Sequence, residues 1–265
     1  MAVVLATLGC SLGGPRGGGA DLAPLRHGLQ VGGTRPARLS YIAAGTPGEP
    51  RLLLVHGTPG SAVGWGAYLR SPPAGFEVVA LDRPGFGASG PASALTSLAA
   101  QAEAVAALLP GAGRGAVLLG HSLGGPVVAR AAAEHPDRVC ALILLAAALD
   151  PALERIHPLQ RLGDWSPVRA LLPRAIRNAN AELLSLQDEL VGLEPWLAGI
   201  RCPVFIVHGT EDDLVPPANV TFIERRLTGA ACIRTVLLPG RNHFLPWNAE
   251  AEVRRVIEQA RQSAC

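Results

Sequence analysis

Short, unbroken apolar runs alternate along the chain with longer stretches whose apolar residues recur at helical spacing. The runs at 52–55, 78–81, 116–119, 139–145 and 204–207 contain only apolar residues, as strands buried on both faces require. A less uniform run at 233–238 follows them. Residues 29–31 and 38–43 predict a strand pair around Gly32-Gly33. Helical spacing covers 95–109, 123–134, 218–227 and 250–262. Strands alternating with helices predict an α/β fold: a mostly parallel central sheet with helices on both faces. Between 151 and 201 the alternation breaks. Pro158, Pro167, Pro173 and Pro195 punctuate short helical pieces such as 180–191. A short helical cap, inserted over one end of the sheet, is expected there.

Length and charge narrow the picture. The 265 residues suffice for one large core, and residues 21–265 are expected to form a single domain that includes the insertion. The net charge of +2 supplies no basic excess for a nucleic-acid partner. All 23 basic residues are arginine. The absence of lysine removes a P-loop lysine, a Schiff-base lysine and a pyridoxal-phosphate anchor together. No apolar run approaches the ~20 residues that cross a bilayer as a helix. The five cysteines have no Cys-x-x-Cys spacing, which argues against a zinc site and against a dense disulfide framework. His-Glu-x-x-His and acid–glycine calcium loops are absent from the sequence, so no metal or cofactor is expected.

The N-terminus reads separately. The apolar run 2–8 ends in Leu8-Gly9-Cys10-Ser11, which resembles a bacterial lipoprotein signal. No arginine or lysine precedes it, and Thr7 stands where such signals prefer leucine. A frayed terminus is the favoured reading for 1–20, and the glycines of 11–20 suit a flexible tether in either case. A cytoplasmic location is expected, with an envelope lipoprotein anchored through Cys10 as the alternative.

The buried runs end in chemistry. In an open α/β sheet, ligands bind outside the carboxyl ends of the strands. There the sequence places His56-Gly57-Thr58-Pro59-Gly60, Asp82-Arg83-Pro84-Gly85-Phe86-Gly87-Ala88-Ser89, Gly120-His121-Ser122-Leu123-Gly124-Gly125, His208-Gly209-Thr210-Glu211-Asp212-Asp213-Leu214-Val215-Pro216 and Pro239-Gly240-Arg241-Asn242-His243-Phe244. Gly120-His121-Ser122-Leu123-Gly124 fits Gly-x-Ser-x-Gly between a strand and a helix, the setting of a nucleophilic serine on a tight turn. A serine hydroxyl needs a base, and the base needs a carboxylate to fix its tautomer. Among the seven histidines, His243 follows the last strand and is the candidate base. His56, His121 and His208, each beside a motif glycine, read as structural. The candidate acid is Asp212, chosen for the spacing Asp-x-x-Val-Pro, with Asp150 as its rival. Two backbone N–H groups are expected to hold the oxyanion. One is that of Leu123, after the nucleophile; the other is that of Thr58, since Pro59 has none. Trp65, Phe86, Trp165, Trp196, Phe244 and Trp247 are candidate pocket walls. One decoy needs disposal: Gly85-Phe86-Gly87-Ala88-Ser89-Gly90 fits a dinucleotide fingerprint, but Pro91 follows at once and no helix opens on its third glycine.

These motifs, in this order, resemble the α/β-hydrolase fold family in its esterase, lipase and C–C hydrolase-like branch, over roughly 29–262. The resemblance implies a Ser–Asp–His triad of Ser122, Asp212 and His243, and a substrate-shaping cap over 151–201. The expected activity is cleavage of an ester or similar acyl bond of a small molecule through an acyl-enzyme. The same triad acting on a lactone, thioester, peptide or C–C bond is the alternative, and a non-catalytic receptor or scaffold the second. Epoxide hydrolases and haloalkane dehalogenases of this family resemble each other in an aspartate nucleophile, against which Ser122 argues. Arg241-Asn242-His243 departs from the family's more usual glycine before the histidine.

Overall fold

The apolar runs form the middle of an eight-stranded sheet because each offers both faces to cover. A computed structural model describes residues 19–32, 37–111 and 115–264. Cys10 and the lipoprotein-like segment lie outside them. In chain order the strands are β1 (Arg26–Val31), β2 (Ala37–Gly45), β3 (Arg51–Val55), β4 (Glu77–Asp82), β5 (Ala116–His121), β6 (Val139–Leu145), β7 (Val204–Gly209) and β8 (Ile233–Leu238). Their spatial order is β1-β2-β4-β3-β5-β6-β7-β8. Only β2 runs against its neighbours; β3 to β8 are parallel. The chain steps from β3 to β4 on one side, then returns to β5 on the other. The order therefore reverses at β3, and that switch point opens a crevice at the carboxyl ends of β3 and β5.

Alternate strand residues feed two cores. Leu53 and Val55 of β3 face one side, while Leu52 and Leu54 face the other. The first side is covered by α2 (Leu98–Ala106), α3 (Gly124–Glu134), α7 (Ala218–Arg226) and the carboxyl half of α6 (Arg174–Leu197). The second is covered by α1 (Gly66–Arg70) and α9 (Glu250–Ala264), whose Val253, Val256, Ile257 and Ala260 form one buried stripe. The short helix α8 (Leu245–Asn248) precedes α9.

The insertion is more ordered than its prolines suggest. Two short helices, α4 (Pro158–Asp164) and α5 (Ser166–Leu171), lead into α6, one continuous helix of 24 residues where only short pieces were expected. Pro158 and Pro167 sit in first turns, where a missing N–H costs nothing. Pro195 lies in the last turn of α6, and the residue whose carbonyl it leaves unpaired, Val191, is exposed to solvent. What holds α6 is a stripe at mostly four-residue intervals. Arg174, Asn178 and Glu182 bond the loops below it, and Leu186, Leu190, Leu193 and Leu197 enter the core. Each buried leucine contributes ~1.5–3 kcal/mol.

Candidate active site

The turn after β5 is built by close approach. Ser122 has φ 55°, a left-handed conformation that costs a non-glycine residue roughly 1–2 kcal/mol. Its N–H is held by the carbonyl of Leu145 on β6 at 3.0 Å. A Cβ on Gly120 would stand 2.3 Å from the Gly124 carbonyl oxygen, and one on Gly124 would stand 2.4 Å from that of Val55. Both flanking glycines are therefore required sterically. Gly57 packs over the serine: a Cβ there would lie 2.7 Å from Ser122 Cβ. The loop after β3 and the turn after β5 thus meet across the switch point. Among the described residues, neither the Thr58 nor the Leu123 N–H donates to a protein acceptor.

The acid and base loops are pinned to each other. Gly209 lets Arg241 pass so close that a Cβ would stand 2.2 Å from its carbonyl oxygen, and Glu211 N–H donates to that oxygen at 2.9 Å. Asp212 Oδ1 accepts from the N–H groups of Leu214 (3.0 Å) and Val215 (2.8 Å), which explains the spacing that singled it out. Its Oδ2 lies 2.8 Å from His243 Nδ1. Both side chains are almost fully buried, whereas Glu211 and Asp213 are exposed. The rival, Asp150, caps the next turn instead, its Oδ1 accepting from Ala152 N–H at 2.9 Å. Burial alone would raise the Asp212 pKa. Hydrogen bonds from His208, His243 and the Val215 N–H, with the charge of His243, outweigh it and hold the carboxyl well below the usual range.

The remaining motif histidines are scaffolding. His121 Nε2 donates to the carbonyl of His243 at 3.0 Å, and the two rings lie 4.8 Å apart. This places the imidazole of residue 243 directly against the neighbour of Ser122. Burial, then repulsion from His243, lowers the His121 pKa to about 3, so it stays neutral. His56 donates through Nδ1 to the Gly57 carbonyl (2.7 Å) and accepts the Arg83 N–H at Nε2 (3.0 Å). His208, read as structural, reaches Asp212 as well: its Nε2 is 3.4 Å from Oδ2. A histidine ending a buried strand four residues before the acid was the only trace of this in the sequence.

The aromatic candidates divide. Phe244 and Trp247 flank His243 and His121. Phe86 is buried, edge-on to His56, and Trp65 is buried against Tyr68. Trp165 stands 62% exposed at the turn between α4 and α5. Trp196 instead stacks under the Arg130 guanidinium, 3.7 Å from its ring centre, near the far end of α6. The glycine-rich decoy is a turn folded around Asp82, which accepts the Ala62 and Ala88 N–H groups.

A family model for the alpha/beta hydrolase fold matches residues 50–182. The pimeloyl-[acyl-carrier protein] methyl ester esterase of Aeromonas hydrophila is 29% identical over 238 residues, covering 73% of this chain and 88% of that protein. Epoxide hydrolase 3 of Xenopus tropicalis is 34% identical over 271 residues, covering 83% of this chain and 73% of its own. Among solved structures, the monoacylglycerol lipase of Paleococcus ferrophilus shares the fold with a TM-score of 0.69 at 23% identity, over 84% of this chain and 98% of that one. No described helix is long and apolar enough to cross a membrane. The chain belongs to the α/β-hydrolase fold family, in its esterase-like branch, and is a hydrolase.

Proposed function

We propose that the protein hydrolyses carboxylic esters through an acyl-enzyme formed on Ser122. The 2.8 Å contact between His243 Nδ1 and Asp212 Oδ2, on loops packed beside the serine turn, carries this reading. His243 Nε2 takes the Ser122 proton as Oγ attacks the acyl carbon, and Asp212 stabilises the imidazolium that results. The N–H groups of Thr58 and Leu123 receive the oxyanion, a contribution of ~3–4 kcal/mol for each such donor. The imidazolium then protonates the leaving alcohol, and water repeats the sequence on the acyl-enzyme.

Ser122 puts a hydroxyl, not a carboxylate, on the turn, which favours acyl transfer over opening of an epoxide. The methyl ester esterases among the relatives make an ester of a small alcohol the first substrate class to test. The 151–201 insertion acts as the cap, and Trp165, Phe244 and Trp247 serve as pocket walls. A fluorophosphonate probe should label the wild type and not Ser122→Ala. A series of p-nitrophenyl esters should be hydrolysed with the same dependence on Ser122. Equal labelling of Ser122→Ala would discard the mechanism. A folded protein that takes no label would favour a binding role on the same fold.

A further inference from the structure

The largest fully buried side chain among the described residues is a charged one that the mechanism does not use, Arg83. Its guanidinium sits between the serine-side loop and α6. Nη1 and Nη2 meet Glu182 Oε1 and Oε2 at 2.6 and 3.1 Å, a two-point ion pair. Nε donates to the His56 carbonyl and Nη2 to the Gly57 carbonyl, each at 2.9 Å. Gln101 closes the group, accepting from Arg83 and donating to Glu182 Oε1 at 2.9 Å. Arg83 and Glu182 are 0% and 2% exposed.

The Gly57 carbonyl and the Thr58 N–H belong to one peptide unit, and that unit is planar. Fixing the oxygen therefore fixes the direction of the N–H. The Arg83 charge on the oxygen also polarises the N–H and strengthens it as a donor. Arg83 in turn is oriented by a carboxylate from the insertion helix, 99 residues away in sequence.

We propose that Glu182 is a positioning residue for the oxyanion hole: through Arg83 it aims the Thr58 N–H from the insertion helix. The proposal rests on the esterase reading above and adds that the cap and the oxyanion loop form one mechanical unit. Burying an arginine without a partner destabilises strongly, so truncation of Glu182 alone would confound folding with catalysis. Three variants separate the two: Glu182→Gln, Glu182→Asp, and the double variant Arg83→Met with Glu182→Leu, which removes both charges. Each is measured by p-nitrophenyl acetate hydrolysis, normalised to the fraction that reacts with the fluorophosphonate, and by thermal unfolding.

The expected result for Glu182→Gln and the double variant is a fall in kcat of about 10- to 100-fold, the usual cost of a misaimed catalytic group. KM should stay within about threefold and the midpoint of the kcat–pH profile should not move, because His243 is untouched. Glu182→Asp, which keeps the charge, should restore part of the kcat. The double variant should recover thermal stability without recovering kcat. Unchanged kcat per labelled site with lowered stability would overturn the proposal, leaving the pair as a brace. A rise in KM alone would overturn it in favour of a pocket contact. A shifted pH midpoint would overturn it in favour of an effect on His243. Retained turnover in Ser122→Ala would instead sink the esterase reading itself, whatever the Glu182 variants do.

Discussion

His208 Nε2 lies 3.4 Å from Asp212 Oδ2, the same oxygen that His243 Nδ1 reaches at 2.8 Å. Because His208 Nε2 also meets the Val215 carbonyl at 2.9 Å, it must carry the proton. Among the described residues, the Asp212 carboxylate thus meets N–H groups on both oxygens: that of His243 on Oδ2, with the His208 N–H close beside it, and two backbone N–H groups on Oδ1.

An amide at this position would place its own N–H groups against donors. Asp212→Asn should force His243 into the tautomer whose Nε2 already carries a proton and cannot accept one from Ser122. We expect kcat for ester hydrolysis to fall by roughly 10⁴-fold with the fold retained. His208→Phe removes the N–H beside Oδ2, together with its hold on the Val215 carbonyl, and should cost about 5- to 10-fold, the equivalent of ~1–1.5 kcal/mol. Steady-state kinetics on both variants checks the ordering. Equal losses would contradict it.

The same environment sets a stability window. The folded pKa of Asp212 lies below its unfolded value of ~3.9, so its ionisation stabilises the fold fully above that pH. That contribution is lost as the pH falls below ~4 towards the depressed folded value. Thermal unfolding between pH 6 and 3 should therefore cost the wild type more than Asp212→Asn, which has no proton to gain. Parallel curves for the two proteins would remove Asp212 from the acid response.

What was legible in the sequence follows from the range of the forces involved. The runs at 139–145 and 233–238 became strands with those bounds because burial on a sheet leaves a local signature. The approach of Asp212 to His243 was also readable, since both close strands of the same parallel set and chemistry demands the pairing. By contrast, α6 was hidden. Three of the seven residues in its inward stripe are polar, the half-buried Arg174 and the buried Asn178 and Glu182, and polar residues at helical spacing look like a solvated face. Arg83 was visible as a charge at the end of a buried strand, but its partner is 99 residues distant and no local pattern reports it.

Gly57 and Thr58 are adjacent yet should respond in opposite ways. A methyl group on Gly57 would stand 2.7 Å from Ser122 Cβ and 3.2 Å from Ser122 Oγ, so Gly57→Ala must displace either the serine or the loop. We expect a kcat loss of about 10²-fold or more. The Thr58 side-chain hydroxyl, however, is buried with no hydrogen-bond partner. Thr58→Val keeps its shape and the backbone N–H while removing an unsatisfied group, so stability should rise by ~1 kcal/mol. Activity should stay within a few-fold. A large kcat loss in Thr58→Val would mean that the hydroxyl, not the backbone, receives the oxyanion.

Glu154 gives the entrance to the insertion its own pH response. It follows the short 3-10 turn Pro151–Leu153, where burial first, and the nearby Asp150 carboxylate second, raise its pKa to about 7. A carboxyl whose folded pKa exceeds its unfolded one keeps its proton longer in the folded state. The fold therefore loses stability as pH rises from ~4.5 to ~7, and the loss is complete above that range. Glu154→Gln cannot ionise and escapes this loss. Its Tm should match the wild type near pH 5 and exceed it near pH 8 by about 2–4 °C, the equivalent of ~1 kcal/mol in a chain of this size. Partial solvent access screens the remainder of the shift. A Tm difference that stays constant from pH 5 to 8 would show that Glu154 ionises as an ordinary carboxylate and that burial at this turn exerts no hold on it.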